Sequence, residues 1–169
     1  WRGVNDAKEL SAGTYTMAFR LGTYIATQFK PIVAKTIYEM SHAKTVLDTS
    51  MGWGDRLTGF YASNATHYIG CDPNPNTFAK YHEMIAFYDK HYDKSRGKKT
   101  VQIYNCGAED LPWNEIENVD CAFTSPPYFS TERYNEGGDK EELQSWAKFN
   151  EYESWRDNFY LPVAQNSFD

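Results

Sequence analysis

The run Thr124-Ser125-Pro126-Pro127-Tyr128-Phe129 holds the most informative chemistry of the chain. Successive prolines fix the backbone and remove two N–H donors. Carbonyl oxygens and the Ser125 hydroxyl are then left as acceptors beside an aromatic ring. Such a group suits a flat partner that donates hydrogen bonds, an exocyclic amine above all. The plain alternative is a proline-stiffened loop with a packed tyrosine.

Three further clusters precede it. Asp48-Thr49-Ser50-Met51-Gly52-Trp53-Gly54 sets an acid just ahead of two glycines. Glycines let a backbone turn tightly and approach a ligand closely. A phosphate site would avoid the carboxylate and favour a third glycine at 57, where the chain has Leu57. An acid there suits a ligand with an ammonium group, although an ordinary strand-to-helix turn reads the same way. Asp72, ahead of Pro73-Asn74-Pro75, suits the two hydroxyls of a ribose, or caps a turn. Cys106-Gly107-Ala108-Glu109-Asp110 offers a backbone N–H and a carboxylate to an adenine edge, or is another polar loop. Taken in order, the three describe a nucleoside carrying an amino-acid tail.

These clusters need elements to hold them. From Phe29 onward short apolar runs alternate with helical patterns, which predicts an α/β fold with a mainly parallel sheet and helices on both faces. Pro31 suits the first turn of a helix to about His42. Strands are expected at 45–47, 67–71, within 98–105 and over 119–124, each ending at one of the clusters. A helix is expected from about Asp55. Phe78, Tyr81, Ile85, Tyr88 and Tyr92 recur at 3 and 4, one apolar helix face, and Tyr152, Trp155, Phe159 and Val163 mark another. The stretch 130–148 reads as a polar loop, in which Glu132-Arg133-Tyr134 and Gln144-Ser145-Trp146 are candidates to cover a substrate.

Composition narrows the class. At 169 residues and 41% hydrophobic the chain is the size of one globular domain. No apolar run is long enough to span a membrane, no signal-peptide stretch opens the chain, and three widely spaced cysteines make no disulfide framework. A reduced, cytoplasmic protein is the expectation. The four histidines and three cysteines show no metal-ligand spacing, so no metal is expected. Aromatics reach 17%, more than one core hides easily, which predicts rings on a working surface. The net charge of −6 is not that of a general nucleic-acid binder. The stretch 89–99 is locally basic, which reads more readily as a solvated helix end than as a phosphate contact.

The ordered set Asp48-x-x-x-Gly52-x-Gly54, Asp72, Gly107-Ala108-Glu109-Asp110 and Thr124-Ser125-Pro126-Pro127-Tyr128 resembles the motifs of S-adenosylmethionine-dependent DNA amino-methyltransferases. The Thr-Ser-Pro-Pro-Tyr form is most similar to enzymes that methylate N4 of cytosine; Asn- or Asp-Pro-Pro-Tyr forms usually belong to adenine N6 enzymes. The resemblance covers roughly residues 29–165 and implies a Rossmann-like methyltransferase domain over 29–169. Residues 1–28 form a segment of unknown role.

For the cofactor, the resemblance implies that Phe29, Lys30 and Pro31 border the methionine end. Asp48, Ser50, Gly52, Trp53 and Gly54 would hold the methionine part, Asp72 and Pro73 the ribose, and Ala108 with Glu109 or Asp110 the adenine. For catalysis, Ser125, Pro126 and Pro127 would engage the target amine, while Tyr128 stacks on a base extruded from duplex DNA. Met51 and Trp53 depart from the small residues common in that loop. The family's sheet usually has seven strands, and the sequence supplies about four. A missing segment or a second chain is therefore expected to complete it. Alternative readings are adenine N6 methylation, an RNA or protein amine as substrate, or a cofactor-binding subunit without catalysis.

Overall fold

The computed structural model of the protein describes residues 11–22 and 28–168. Most of the segment of unknown role, 1–10 and 23–27, lies outside the described residues. Within it stands one helix the sequence reading did not foresee, α1 (Ala12–Gly22). Ser11 begins it, its hydroxyl accepting the Thr14 N–H at 3.2 Å.

Then follow α2 (Pro31–Met40), β1 (Thr45–Asp48), α3 (Asp55–Tyr61), β2 (His67–Cys71), α4 (Pro75–His91), β3 (Thr100–Tyr104) and β4 (Cys121–Ala122). The four strands form one parallel sheet in the order β3-β2-β1-β4. Each connection is a crossover, so all four strand ends that carry the sequence clusters emerge on the same edge. The strand order reverses between β1 and β4. In open parallel sheets that reversal opens a crevice beyond the carboxyl ends of the strands.

Strand alternation divides the core in two. Val46, Tyr68, Val101, Ile103, Cys121 and Phe123 meet α2, α3 and α4 through Tyr38, Leu57, Phe60, Tyr81 and their neighbours. Cys71 and Tyr104 belong to a second cluster with Ala108, Leu111, Trp155, Phe159 and Val163. The expected helical stripe of α4 packs as foreseen, with Tyr81 buried and Phe78, Ile85, Tyr88 and Tyr92 half-buried. Close approach of α3 to α2 rests on Gly59, where a Cβ would stand 2.6 Å from the Pro31 carbonyl oxygen.

Two elements differ from expectation. The fourth strand pairs over Cys121 and Ala122 alone, with Phe123 N–H reaching Leu47 O at 2.9 Å. Before it, Asp120 N–H reaches Thr45 O at 3.0 Å, while the Asp120 side chain takes the N–H groups of Lys44 and Thr45, both at 2.8 Å, so an acid serves in place of a carbonyl there. After it come two prolines, which cannot extend a ladder. The polar stretch 130–148 is not all loop: it contains a 3₁₀ turn (Glu141–Leu143) and the short helix α5 (Ser145–Lys148). The final stripe is helical as expected: α6 (Tyr152–Trp155), a π turn (Arg156–Tyr160) and α7 (Leu161–Phe168) run on from one another.

Candidate functional site

The end of β1 is the centre of the arrangement. Asp48 has no exposed surface, and its carboxylate meets four donors from four parts of the chain. Oδ2 accepts Arg56 Nε at 2.9 Å and the Tyr68 hydroxyl at 2.7 Å. Oδ1 accepts the Thr124 hydroxyl at 3.0 Å and the Ser50 N–H at 3.3 Å. A buried carboxylate is tolerated when it is paired and fully bonded, and Arg56 supplies the opposite charge. Burial lowers the Arg56 pKa, but Asp48 outweighs it, and the net shift is upward. Burial first, and then the Asp48 charge, raises the Tyr68 phenol well above its ordinary range. The carboxylate thus faces inward. What it presents to the crevice is the geometry of the loops it ties together.

The glycine loop turns as its composition requires. Gly52 and Gly54 have φ of 58° and 82°, left-handed values that suit glycine. A Cβ on Gly54 would stand 2.7 Å from Met84 Cε. Gly54 N–H closes the turn on Met51 O at 3.0 Å and begins α3. Gly52 and Trp53 face solvent, the Trp53 ring 60% exposed.

Asp72, at the end of β2, holds that loop from the next strand. Its Oδ2 accepts Gly52 N–H at 2.9 Å and its Oδ1 accepts Asn74 N–H at 2.9 Å. Tyr81 donates its hydroxyl to Gly52 O. Burial raises the Asp72 pKa, against the lowering effect of those N–H donors. Asn105, just past β3, donates to the Asp72 carbonyl at 2.9 Å, so the third strand end is tied to the second.

Ala108–Asp110 is a 3₁₀ turn with Ala108 buried. The Glu109 side chain lies back over Gly107, where a Cβ would collide with the Glu109 carboxylate. Lys148, from α5, bonds Glu109 Oε1 at 2.8 Å and Asp110 Oδ2 at 2.6 Å. Desolvation lowers the Lys148 pKa, the two carboxylates raise it, and the carboxylates prevail. Glu109 Oε2 is buried and has no hydrogen-bond partner. Beside this turn the Cys71 thiol donates to the Thr49 carbonyl at 3.3 Å, and its interaction with the neighbouring Cys106 raises the Cys71 pKa and lowers that of Cys106.

The proline loop leaves β4 at Thr124, on Asp48. Ser125 is exposed and Pro126 and Pro127 half-buried. The next two rings part company: Tyr128 is 56% exposed, while Phe129 packs on Trp155 and Tyr152 at centroid distances of 5.8 and 5.7 Å. Phe129 has a φ of 49°, a left-handed value rare for such a residue. That turn anchors one aromatic ring and frees the other.

The structure therefore brings the four clusters to one edge and links them by hydrogen bonds. Phe29 sits behind them, its ring under the Arg56 guanidinium at 5.7 Å and 6.0 Å from Phe123, with Lys30 exposed and Pro31 starting α2. Arg56 and Lys148 are the residues that reading by sequence missed. The basic stretch lies before β3, at the opposite edge, and serves the fold. Lys94 stands over the Tyr92 ring, Arg96 bonds Glu39 and Asn64, and Lys99 is buried. The tripeptides 132–134 and 144–146 do meet: Trp146 donates to the Tyr134 carbonyl at 3.0 Å and carries Arg133 over its ring. Among the described residues no group of three His, Cys, Asp or Glu could hold a metal ion, and no helix is long and apolar enough to cross a membrane.

No family model matches the chain, and no curated protein matches it. Among solved structures it is similar to a putative caffeoyl-CoA O-methyltransferase from Staphylococcus aureus, at 15% identity and a TM-score of 0.41, over 63% of this chain and 49% of that one. It is also similar to a methyltransferase from Geobacter sulfurreducens, at 14% identity and a TM-score of 0.44, over 70% of this chain and 61% of that one. The chain spans about half the length of the first and three fifths of the second.

Proposed function

We propose that the protein is an S-adenosylmethionine-dependent methyltransferase acting on the exocyclic amine of a DNA base, with N4 of cytosine the first candidate. The observation that carries the reading is the Thr124–Asp48 hydrogen bond at 3.0 Å, which sets the Ser-Pro-Pro-Tyr acceptors at the strand-order reversal beside the glycine loop.

The residues fit the cofactor. Glu109 Oε2 is a buried acceptor with nothing to accept, and an adenine amine would satisfy it. Asp72 stands at the second strand end beside Gly52, where ribose hydroxyls would meet it. The open, left-handed Gly52 lets a methionine tail lie on the backbone. When bound, the cofactor would supply an electrophilic methyl group on a sulfonium.

The protein's own part is positioning and polarisation. An aromatic amine is a poor nucleophile because its lone pair is delocalised into the ring. Acceptors at Ser125 and the Pro126 carbonyl would draw on its hydrogens and stabilise the positive charge that develops as the methyl arrives. The exposed Tyr128 ring is free to stack on the base and offset part of the cost of extruding it. Asp48, being buried, acts by holding both loops.

A second reading keeps the cofactor and replaces DNA by RNA or a protein amide. It is favoured by the net charge of −6 and by the use of Lys94, Arg96 and Lys99 within the fold.

Calorimetric titration with S-adenosylmethionine, wild type against Asp72→Ala, tests the cofactor. Micromolar binding weakened by about 1–3 kcal/mol, the cost of losing a buried polar partner, supports it. A folded wild type that binds none refutes it. Mass spectrometry of nucleosides after incubation with DNA then tells N4-methylcytosine from N6-methyladenine.

A further inference from the structure

We propose that Thr124 is a positioning residue: its hydroxyl, through Asp48, sets the amine-binding loop against the glycine loop. The inference deepens the methyltransferase reading and rests on it. Backbone pairing between β1 and β4 covers two residue pairs and ends with Phe123 N–H on Leu47 O. The next residues are Thr124, Ser125 and two prolines that have no N–H to give. Between the end of that ladder and the Phe129 anchor, the Thr124 hydroxyl on Asp48 Oδ1 joins the loop to the neighbouring strand. The same Oδ1 holds Ser50 N–H at 3.3 Å, at the entrance of the glycine loop. One oxygen therefore fixes the base of both loops. Arg56 and Tyr68 hold the other oxygen, so the carboxylate cannot rotate to follow a loop that drifts.

In-line methyl transfer is sensitive to such drift, since reacting atoms must meet at about 3–3.5 Å with orbitals aligned. Removing the hydroxyl should loosen the approach of the amine while leaving the cofactor's contacts at Asp72 and Glu109 in place. Thr124 touches no reacting atom in this account, so a conservative rescue separates its role from bulk.

The test uses the full chain with Thr124→Val, which keeps shape and removes the hydroxyl, and Thr124→Ser, which keeps the hydroxyl. Amide hydrogen exchange at Phe123 and Thr131, whose N–H groups bond Leu47 O and Tyr128 O, should accelerate about tenfold in the valine variant and stay near wild type in the serine variant. Amides of β2 and β3 should not change in either. In the valine variant kcat for DNA should fall at least about tenfold, while the dissociation constant for S-adenosylmethionine stays within about threefold. Unchanged loop exchange in T124V overturns the proposal, as does a T124S variant as impaired as T124V, or a loss of cofactor affinity equal to the loss of kcat. A wild type that binds cofactor but methylates nothing sinks the DNA reading instead, and the exchange data alone then decide whether Thr124 holds the loop.

Discussion

Replacing Arg56 by methionine probes the buried centre most directly. Methionine keeps an apolar stem against Phe29 and removes the guanidinium. Asp48 would then lie fully buried with its charge unpaired, and Oδ2 would keep Tyr68 as its partner. The Ser50 carbonyl would also lose its bond from Arg56 Nη2. Breaking a buried ion pair by removing one partner costs about 3–5 kcal/mol. With a urea m-value of about 2 kcal/mol/M for a chain of this size, the unfolding midpoint should drop by about 1.5–2.5 M. The assay is equilibrium urea unfolding at pH 7 followed by tryptophan fluorescence. The double variant Asp48→Asn with Arg56→Met supplies the decisive comparison. An asparagine there can donate to the Tyr68 oxygen and still accept from Thr124 and Ser50, with no charge to leave unpaired. It should recover at least about 1 kcal/mol over R56M alone. An R56M cost below about 1 kcal/mol, or a double variant no more stable than the single, refutes the account of Arg56 as the counter-charge.

Other outcomes follow from single features. Desolvation first, and then Arg96 and Lys44, push Lys99 down to about 8 from the usual lysine value. The unfolded state therefore binds more protons between pH 8 and about 10, so the urea midpoint should rise with pH across that window and rise less in Lys99→Met. Above pH 10 the raised phenols of Tyr38, Tyr68 and Tyr81 reverse the trend, because the unfolded state then loses protons that the fold retains. Gly54→Ala meets both a φ of 82° and Met84, and should cost about 1–3 kcal/mol, read as a lowered melting temperature. Cys106, half-buried and with its pKa lowered by the Cys71 thiol, should be alkylated ahead of Cys71 by iodoacetamide at pH 7.5. Peptide mass spectrometry reads the order, and Cys71→Ala should slow the reaction at Cys106.

The parallel sheet was legible because each of its first three strands is a short run rich in β-branched and aromatic residues followed by a chemically distinct residue: Asp48, Asp72, or the Cys106-Gly107 pair. The same pattern failed at the fourth. Val119 to Thr124 looks like a strand of six, but Asp120 caps the start of β1 with its side chain and the prolines end the ladder, so two residues pair. Arg56 was missed because a cation beside an acid at the start of a helix ordinarily faces water, and its burial depends on Asp48 arriving from another strand. Lys148 reaches Glu109 and Asp110 across 38 to 39 residues, a distance at which no local pattern carries information. The left-handed turn at Phe129 has no mark in composition, since no glycine or asparagine announces it.

The placing of β1 between β2 and β4 has a consequence for how the molecule comes together. Tyr68 reaches Asp48 from 20 residues away and Thr124 from 76. A chain made from its N-terminus can pair β1, β2 and β3 well before β4 exists. Through that interval one side of β1 stands unpaired, open to a second copy of the same half-made sheet. Because the β4 ladder is so short, that side is also where these four strands should part first. Among these four strands, the contact of Thr124 with Asp48 is thus the last to form during synthesis and the first to come apart.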